Sequence, residues 1–136
     1  MSLQILRPVT IKAKVTEGLK DRLAAELNGA IRQLDEEMAQ LESQVKRAQL
    51  TATISPQQQM QLRQLVEQER AARADKKAQY QEEISRVMAL PLGSEIVQGQ
   101  AQAMATVEVG DDFDALMATE IVVQDGKVIA IRKGEA

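Results

Sequence analysis

The 136-residue chain is long enough for one ordinary domain, or for a small core with an extended appendage, and a hydrophobic content of 44% is sufficient to fold it. It contains no cysteine and no histidine, which excludes disulfides, thiolate nucleophiles, histidine general bases and metal sites of the usual nitrogen and sulfur ligation. One tyrosine and one phenylalanine offer bases no row of stacking platforms, and a net charge of −3, with acids and bases interleaved, supplies no polycation for phosphates, so direct nucleic-acid binding is not expected.

The chain opens MSLQILRPVTIKAKV, without a long apolar signal region, and no stretch approaches the roughly 18 to 20 apolar residues that span a bilayer. The expected location is the cytoplasm, with no membrane partner. Within residues 3–15, Val9, Ile11, Ala13 and Val15 alternate with Thr10, Lys12 and Lys14. That period of two predicts a strand with one buried face, placed after Pro8 because proline interrupts a sheet ladder.

At Thr16 the period becomes helical, and the threonine is suited to be the N-cap. Leu27, Ile31, Leu34, Met38, Leu41, Val45 and Ala48 then recur in steps of four and three, a heptad seam. Ser55, Pro56 and Gln58 form a capping-box pattern with proline at the first helical position, so a second helix starts there and runs to the region before Pro91 and Gly93. The predicted helices cover residues 16–51 and 56–89. Antiparallel folding sets Val45 opposite Leu62, Leu41 opposite Val66, Leu27 opposite Tyr80 and Leu23 opposite Ile84. Between these levels Ala71, Ala72, Ala74 and Ala78 are expected to face Ile31 and Leu34. Helices of this length make a hairpin on the order of 50 Å long.

Downstream, Ser94 to Val97 predicts a short strand, and residues 100–109 alternate as a further one. TEIVVQDGKVIAIR then gives two apolar runs joined by Asp125-Gly126, the signature of a type I′ hairpin turn. An antiparallel helical hairpin returns its ends to one place, so the first strand can join the later ones. The predicted fold is α+β: a small antiparallel β-barrel or sheet from residues 1–15 and 91–136, with an antiparallel coiled-coil hairpin, residues 16–90, inserted.

The segments LPLGSEIVQGQ and VEVGDDFDALMATEIVVQDGKVIAIR, with the preceding strand and heptad helices, resemble the YlqD family of uncharacterised small bacterial proteins. The resemblance covers essentially the whole chain and is sharpest over residues 91–132. It supports the predicted architecture. Because members are often encoded near ribosome-maturation and tRNA-modification genes, it also implies a ribosome-linked setting. It transfers no active-site residue.

GDDFD places Asp111, Asp112 and Asp114 around the single phenylalanine. Glycine beside aspartate after a strand is ordinary turn chemistry, with carboxylates accepting backbone N–H bonds. Phe113, Leu116 and Met117 are then expected to plug the barrel. A calcium or magnesium site at the same aspartates is the competing reading, but neither an EF-hand spacing nor a phosphate-cradling loop accompanies it. Carboxylate-dependent hydrolysis has the right residue type and no recognisable cleft. No cofactor is expected.

Arg63, Arg70, Arg73, Lys76 and Lys77 lie among Glu67, Glu69 and Asp75 on the second helix, a mixture usual for a solvated coiled-coil flank and also suited to an acidic partner. Lys12, Lys14, Lys127, Arg132 and Lys133 make a basic patch if their strands are neighbours. The expected function is a non-catalytic binding or assembly module, not an enzyme, with a protein or a ribosomal particle as partner. The candidate contact residues are Ile54, Met60, Leu62, Arg70, Arg73, Lys76 and Lys77. The alternative is a chaperone-like clamp holding a client, or a second copy of the chain, at the hairpin tip.

Overall fold

The computed structural model describes residues 1–51 and 53–134; residue 52 of the interhelical loop and the last two residues of the expected sheet unit lie outside the described residues. Seven elements follow in order: β1 (Ser2–Lys14), α1 (Glu17–Thr51), α2 (Pro56–Met88), β2 (Glu95–Glu108), α3 (Phe113–Met117), β3 (Glu120–Gln124) and β4 (Lys127–Arg132). They divide into two units. One joins Met1–Lys20 to the residues from Leu90 onward, and the other is Asp21–Ala89.

The first unit is an open four-stranded sheet in the order β2-β1-β3-β4. β1 pairs antiparallel with β2 along its whole length, from Ser2↔Glu108 to Lys14↔Glu95, and parallel with β3 only from Thr10 to Ala13. The predicted barrel is therefore not formed, and the sheet is not purely antiparallel. After β2 the chain passes through α3 and enters β3 on the other side of β1, running in the same direction as β1. The two outer strands, β2 and β4, share no backbone ladder.

The pairing explains how β1 tolerates proline. Val15 donates to Ser94 O at 2.8 Å on the β2 side, whereas Thr10 donates to Thr119 O at 3.1 Å on the β3 side. Successive residues of a strand direct their backbone groups to opposite sides. Pro8 therefore lacks an N–H only on the side where β3 has not yet begun, and the strand extends back to Ser2 instead of starting after the proline. The two strands expected at residues 94–109 are one strand, β2, whose register shifts beside Gly99 opposite Ile11 and Lys12. An extra residue at a bulge carries the ladder across that break.

Local signals form as their chemistry requires. Thr16 Oγ1 accepts from Leu19 N at 3.1 Å and donates to Asp125 Oδ1 at 2.7 Å, so the N-cap of α1 is tied to the β3–β4 turn. Asp125 and Gly126 have φ of 49° and 83°, the positive values that both central positions of a type I′ turn need. Val9, Ala13, Val15, Leu19 and Val122 are the buried apolar residues of this unit, Val122 with 0% exposure.

The second unit holds two long helices. Ser55 caps α2 with the full capping box: its side chain accepts from Gln58 N, and Gln58 Oε1 accepts from Ser55 N. On α1, Ile31 is buried and Leu27, Leu34, Met38, Leu41 and Val45 are half-buried, whereas Ala48 is exposed. On α2, the half-buried positions are Leu62, Val66, Glu69, Arg73, Lys77, Tyr80, Ile84 and Val87. The alanines expected in the seam, Ala71, Ala72, Ala74 and Ala78, are exposed. Val66, Arg73, Tyr80 and Val87, all half-buried, recur every seven residues, so the covered stripe of α2 runs through Arg73 and not through the small residues.

Candidate interaction surface

The three aspartates of GDDFD do separate jobs. Asp111 Oδ2 accepts from Glu108 N at 2.8 Å while Asp111 N donates to Glu108 O at 3.1 Å, closing the turn at the end of β2 where Gly110 has φ of 101°. Asp112 is the N-cap of α3, its Oδ1 accepting from Ala115 N at 3.1 Å. Asp114 lies exposed in the first turn of that helix. Among the described residues, no group of three or more acidic side chains is arranged to hold a metal ion. Phe113 is 56% exposed, which overturns its expected role as a plug. An open sheet has no lumen to fill, and of the apolar residues in α3 only Ala115 and Leu116 are half-buried.

Two of the five basic residues named for the sheet, Arg132 and Lys12, are paired with carboxylates. Arg132 on β4 forms a bidentate pair with Glu95 on β2, Nη1 to Oε1 at 2.7 Å and Nη2 to Oε2 at 2.8 Å, and Nη1 also reaches Glu120 Oε1 on β3 at 3.2 Å. Lys12 Nζ on β1 lies 2.8 Å from Glu120 Oε2. Every strand contributes one member to this network. The hydrogen bond from Arg132 is the main cause holding the Glu95 carboxyl below its ordinary range, and that from Lys12 does the same for Glu120.

The candidate cations of α2 are turned largely toward α1. Arg70 Nη2 meets Glu42 at 2.7 Å, Arg73 Nε lies 3.5 Å from Glu37, and Lys77 Nζ meets Asp35 at 3.2 Å. Arg73 also pairs with Glu69 on its own helix, and its side chain is only 23% exposed. The guanidinium of Arg70 is held in its charged form chiefly by the hydrogen bond to Glu42. Lys76 remains exposed. Ion pairs thus occupy the middle of the helix pair, where the apolar stripe of α1 meets charged side chains on α2.

Nearer the connecting turn, a hollow of about 380 Å³ opens between the helices, lined by Val45, Lys46, Gln49, Arg63 and Val66 among others. Of the candidate apolar contacts, Met60 is 63% exposed, while Ile54 and Leu62 are half-buried. Leu50, 86% exposed, and Leu65 add to this surface. Sequence reasoning missed both, although each is a large apolar residue outside the heptad seam and so was legible as exposed.

Residues 3–132 match the family model described as YlqD protein. The chain belongs to the YlqD family. It is 32% identical over 132 residues to the uncharacterized protein YlqD of Bacillus subtilis (strain 168), covering 96% of this chain and 99% of the relative. A crystal structure of a protein of unknown function from Synechococcus sp. WH 8102 superposes with a TM-score of 0.68 at 27% identity, covering 98% of this chain and 96% of that one. The fold of this chain is thus similar to that of a solved protein over nearly the full length of both. Among the described residues, no helix is long and apolar enough to cross a membrane.

Proposed function

We propose that this YlqD-family chain is a non-catalytic binding or assembly module, in which the two long helices form an antiparallel coiled-coil hairpin that serves as a docking arm. The observation that carries the reading is the division of labour within the helical unit. Ion pairs from Asp35 to Lys77, Glu37 to Arg73 and Glu42 to Arg70 hold α1 and α2 together, while Leu50, Met60 and Leu65 beside the connecting turn are left exposed. Exposed apolar side chains rimmed by charge suit a protein surface. The chemistry of the chain agrees with a binder: it has neither histidine nor cysteine, and the carboxylates of Asp111 and Asp112 are engaged in turn and cap bonds. The proposed location is the cytoplasm, and the ribosome-linked setting is the one that the family resemblance implies, with a protein or a ribosomal particle as partner.

The test is affinity capture from the source cytoplasm with the parent and with a variant in which residues 51–60 are replaced by a short turn. Loss of the captured partner while the sheet unit stays folded supports the arm, and undiminished capture overturns it. The same exposed leucines and methionine favour a second reading as a chaperone-like clamp. That reading requires the parent to suppress aggregation of an unfolded client, and the shortened variant not to.

A further inference from the structure

We infer that the outer edge of β2 pairs with the same edge of a second copy of this chain, antiparallel about Ala103, to join two sheets into one. The inference stands independently of the docking role proposed for the helices. β2 is an edge strand over its full length, Glu95–Glu108, and between those two glutamates it carries no charge and no proline. Natural edges are ordinarily protected by one or the other, by a bulge or by a covering element; the bulge of β2 lies beside Gly99, outside the segment from Gln100 to Thr106. The edge of β4 has such protection: Lys127, Arg132 and Lys133 flank it, and antiparallel pairing with its own copy would bring like charges together.

The register on β1 determines which groups are free. Odd-numbered residues of β1 turn their backbone toward β2, as Val15 does to Ser94, so Ala101, Ala103, Ala105 and Val107 face inward. The N–H and C=O groups of Gln100, Gln102, Met104 and Thr106 face outward and have no hydrogen-bond partner among the described residues. The run has a built end, because the outward groups of Glu108 are taken by Asp111. Rotation about Ala103 sets Gln102 against Met104 of the other copy and Gln100 against Thr106. All four free residues are then satisfied, and Glu108 stays outside the paired segment. The small side chains at Ala101, Ala103 and Ala105 allow close approach on one face. On the other face, Leu6 and Met104, cross-strand partners that are both exposed, become one apolar patch shared by two copies.

The register gives a test that needs no background correction, since the chain has no cysteine. At the two-fold centre, Ala103 and its symmetry mate form a non-hydrogen-bonded pair with Cα atoms about 4.5 Å apart, within the span a disulfide closes. Ala103→Cys should therefore cross-link to a dimer under mild oxidation. Ala101→Cys should not, because its symmetry mate lies about 13 Å further along the ladder. By analytical ultracentrifugation the full-length parent should show dimer mass, with Gln102→Pro and Met104→Lys monomeric and melting as folded proteins. Two edge variants guard against one failing to fold. A parent that stays monomeric up to its solubility limit overturns the inference, as does a dimer indifferent to a folded edge variant, or equal cross-linking at positions 101 and 103.

Discussion

Arg132 and Glu95 join the two outer strands of the sheet through a bidentate ion pair, although no backbone hydrogen bond connects β4 to β2. Glu120 and Lys12 continue the network across the inner strands, so side chains span the sheet in place of the closing ladder of a barrel. Pairs of this kind at an exposed surface are weakened by salt and by solvent, but a bidentate geometry within a network is the favourable case.

This arrangement predicts an acid-sensitive sheet. Glu95 and Glu120 have pKa values below the usual 4.5 in the folded state, so the unfolded chain binds protons first as pH falls. Their stabilisation is complete above the ordinary carboxylate range and is lost as pH drops through the depressed values. The melting temperature of the parent should fall more steeply below pH 4.5 than that of a Glu95→Gln, Glu120→Gln double variant, and the parent should be the more stable at neutral pH. Identical melting profiles across acid and neutral pH would show that the network does not contribute to folding.

Arg73 tests what the charged middle of the helix pair does. Its side chain is mostly covered, and its Nε lies in a buried position facing Glu37. Arg73→Ala leaves Glu37 and Glu69 facing each other without the cation and should lower the melting temperature. Arg73→Met restores the apolar stem and should be within about 1 kcal/mol of the parent, because Glu37 and Glu69, 43% and 42% exposed, are solvated by water once the cation is gone. Salt should destabilise the parent more than Arg73→Met. The decisive measurement is chemical denaturation of all three proteins at low and high ionic strength.

The β3–β4 turn offers a local test of backbone strain. Gly126 has φ of 83°, where a β-branched residue is strained. Gly126→Val should therefore destabilise the sheet by about 1 to 3 kcal/mol. The helical circular dichroism should be largely retained, since α1 and α2 contain most of the helical residues. A variant melting like the parent would mean that the turn relaxes into another type.

The features legible in the sequence are those set by neighbours along the chain: the Thr16 cap, the Ser55-Pro56-Gln58 capping box, the Asp125-Gly126 turn and the helical period of α1. That β1 joins the later strands in one sheet was legible from the returning helices, but the strand order and direction were not. The same strands could have closed antiparallel, and only the passage through α3 places β3 parallel to β1. Arg73 was hidden for a different reason. Its spacing from Val66 and Tyr80 marks it as a seam position, but the run of alanines beside it offered an apolar alternative that polarity alone favoured. On the candidate surface the same logic holds: Arg70, Arg73 and Lys77 were recognisable as a cationic stripe, but not as the partners of Glu42, Glu37 and Asp35.

At GDDFD the structural contact is made by an aspartate and not by the phenylalanine expected to plug a barrel. Asp112 caps α3 through Ala115 N, whereas Phe113 is more than half exposed. Removing the acceptor with Asp112→Ala should cost about 0.5 to 2 kcal/mol, the usual range for an N-cap, while Asp112→Asn keeps an acceptor of the same size and should be nearly neutral. Phe113→Ala should cost less than about 1 kcal/mol, far below the roughly 3 to 5 kcal/mol of a buried ring. Each variant should be melted with millimolar calcium or magnesium and again with chelator. Turn and cap roles predict that the parent ignores both ions and that Asp112→Ala is the most affected of the three. A parent strongly stabilised by either ion, with that stabilisation lost in Asp112→Asn, would reassign the aspartates from turn chemistry to a metal site.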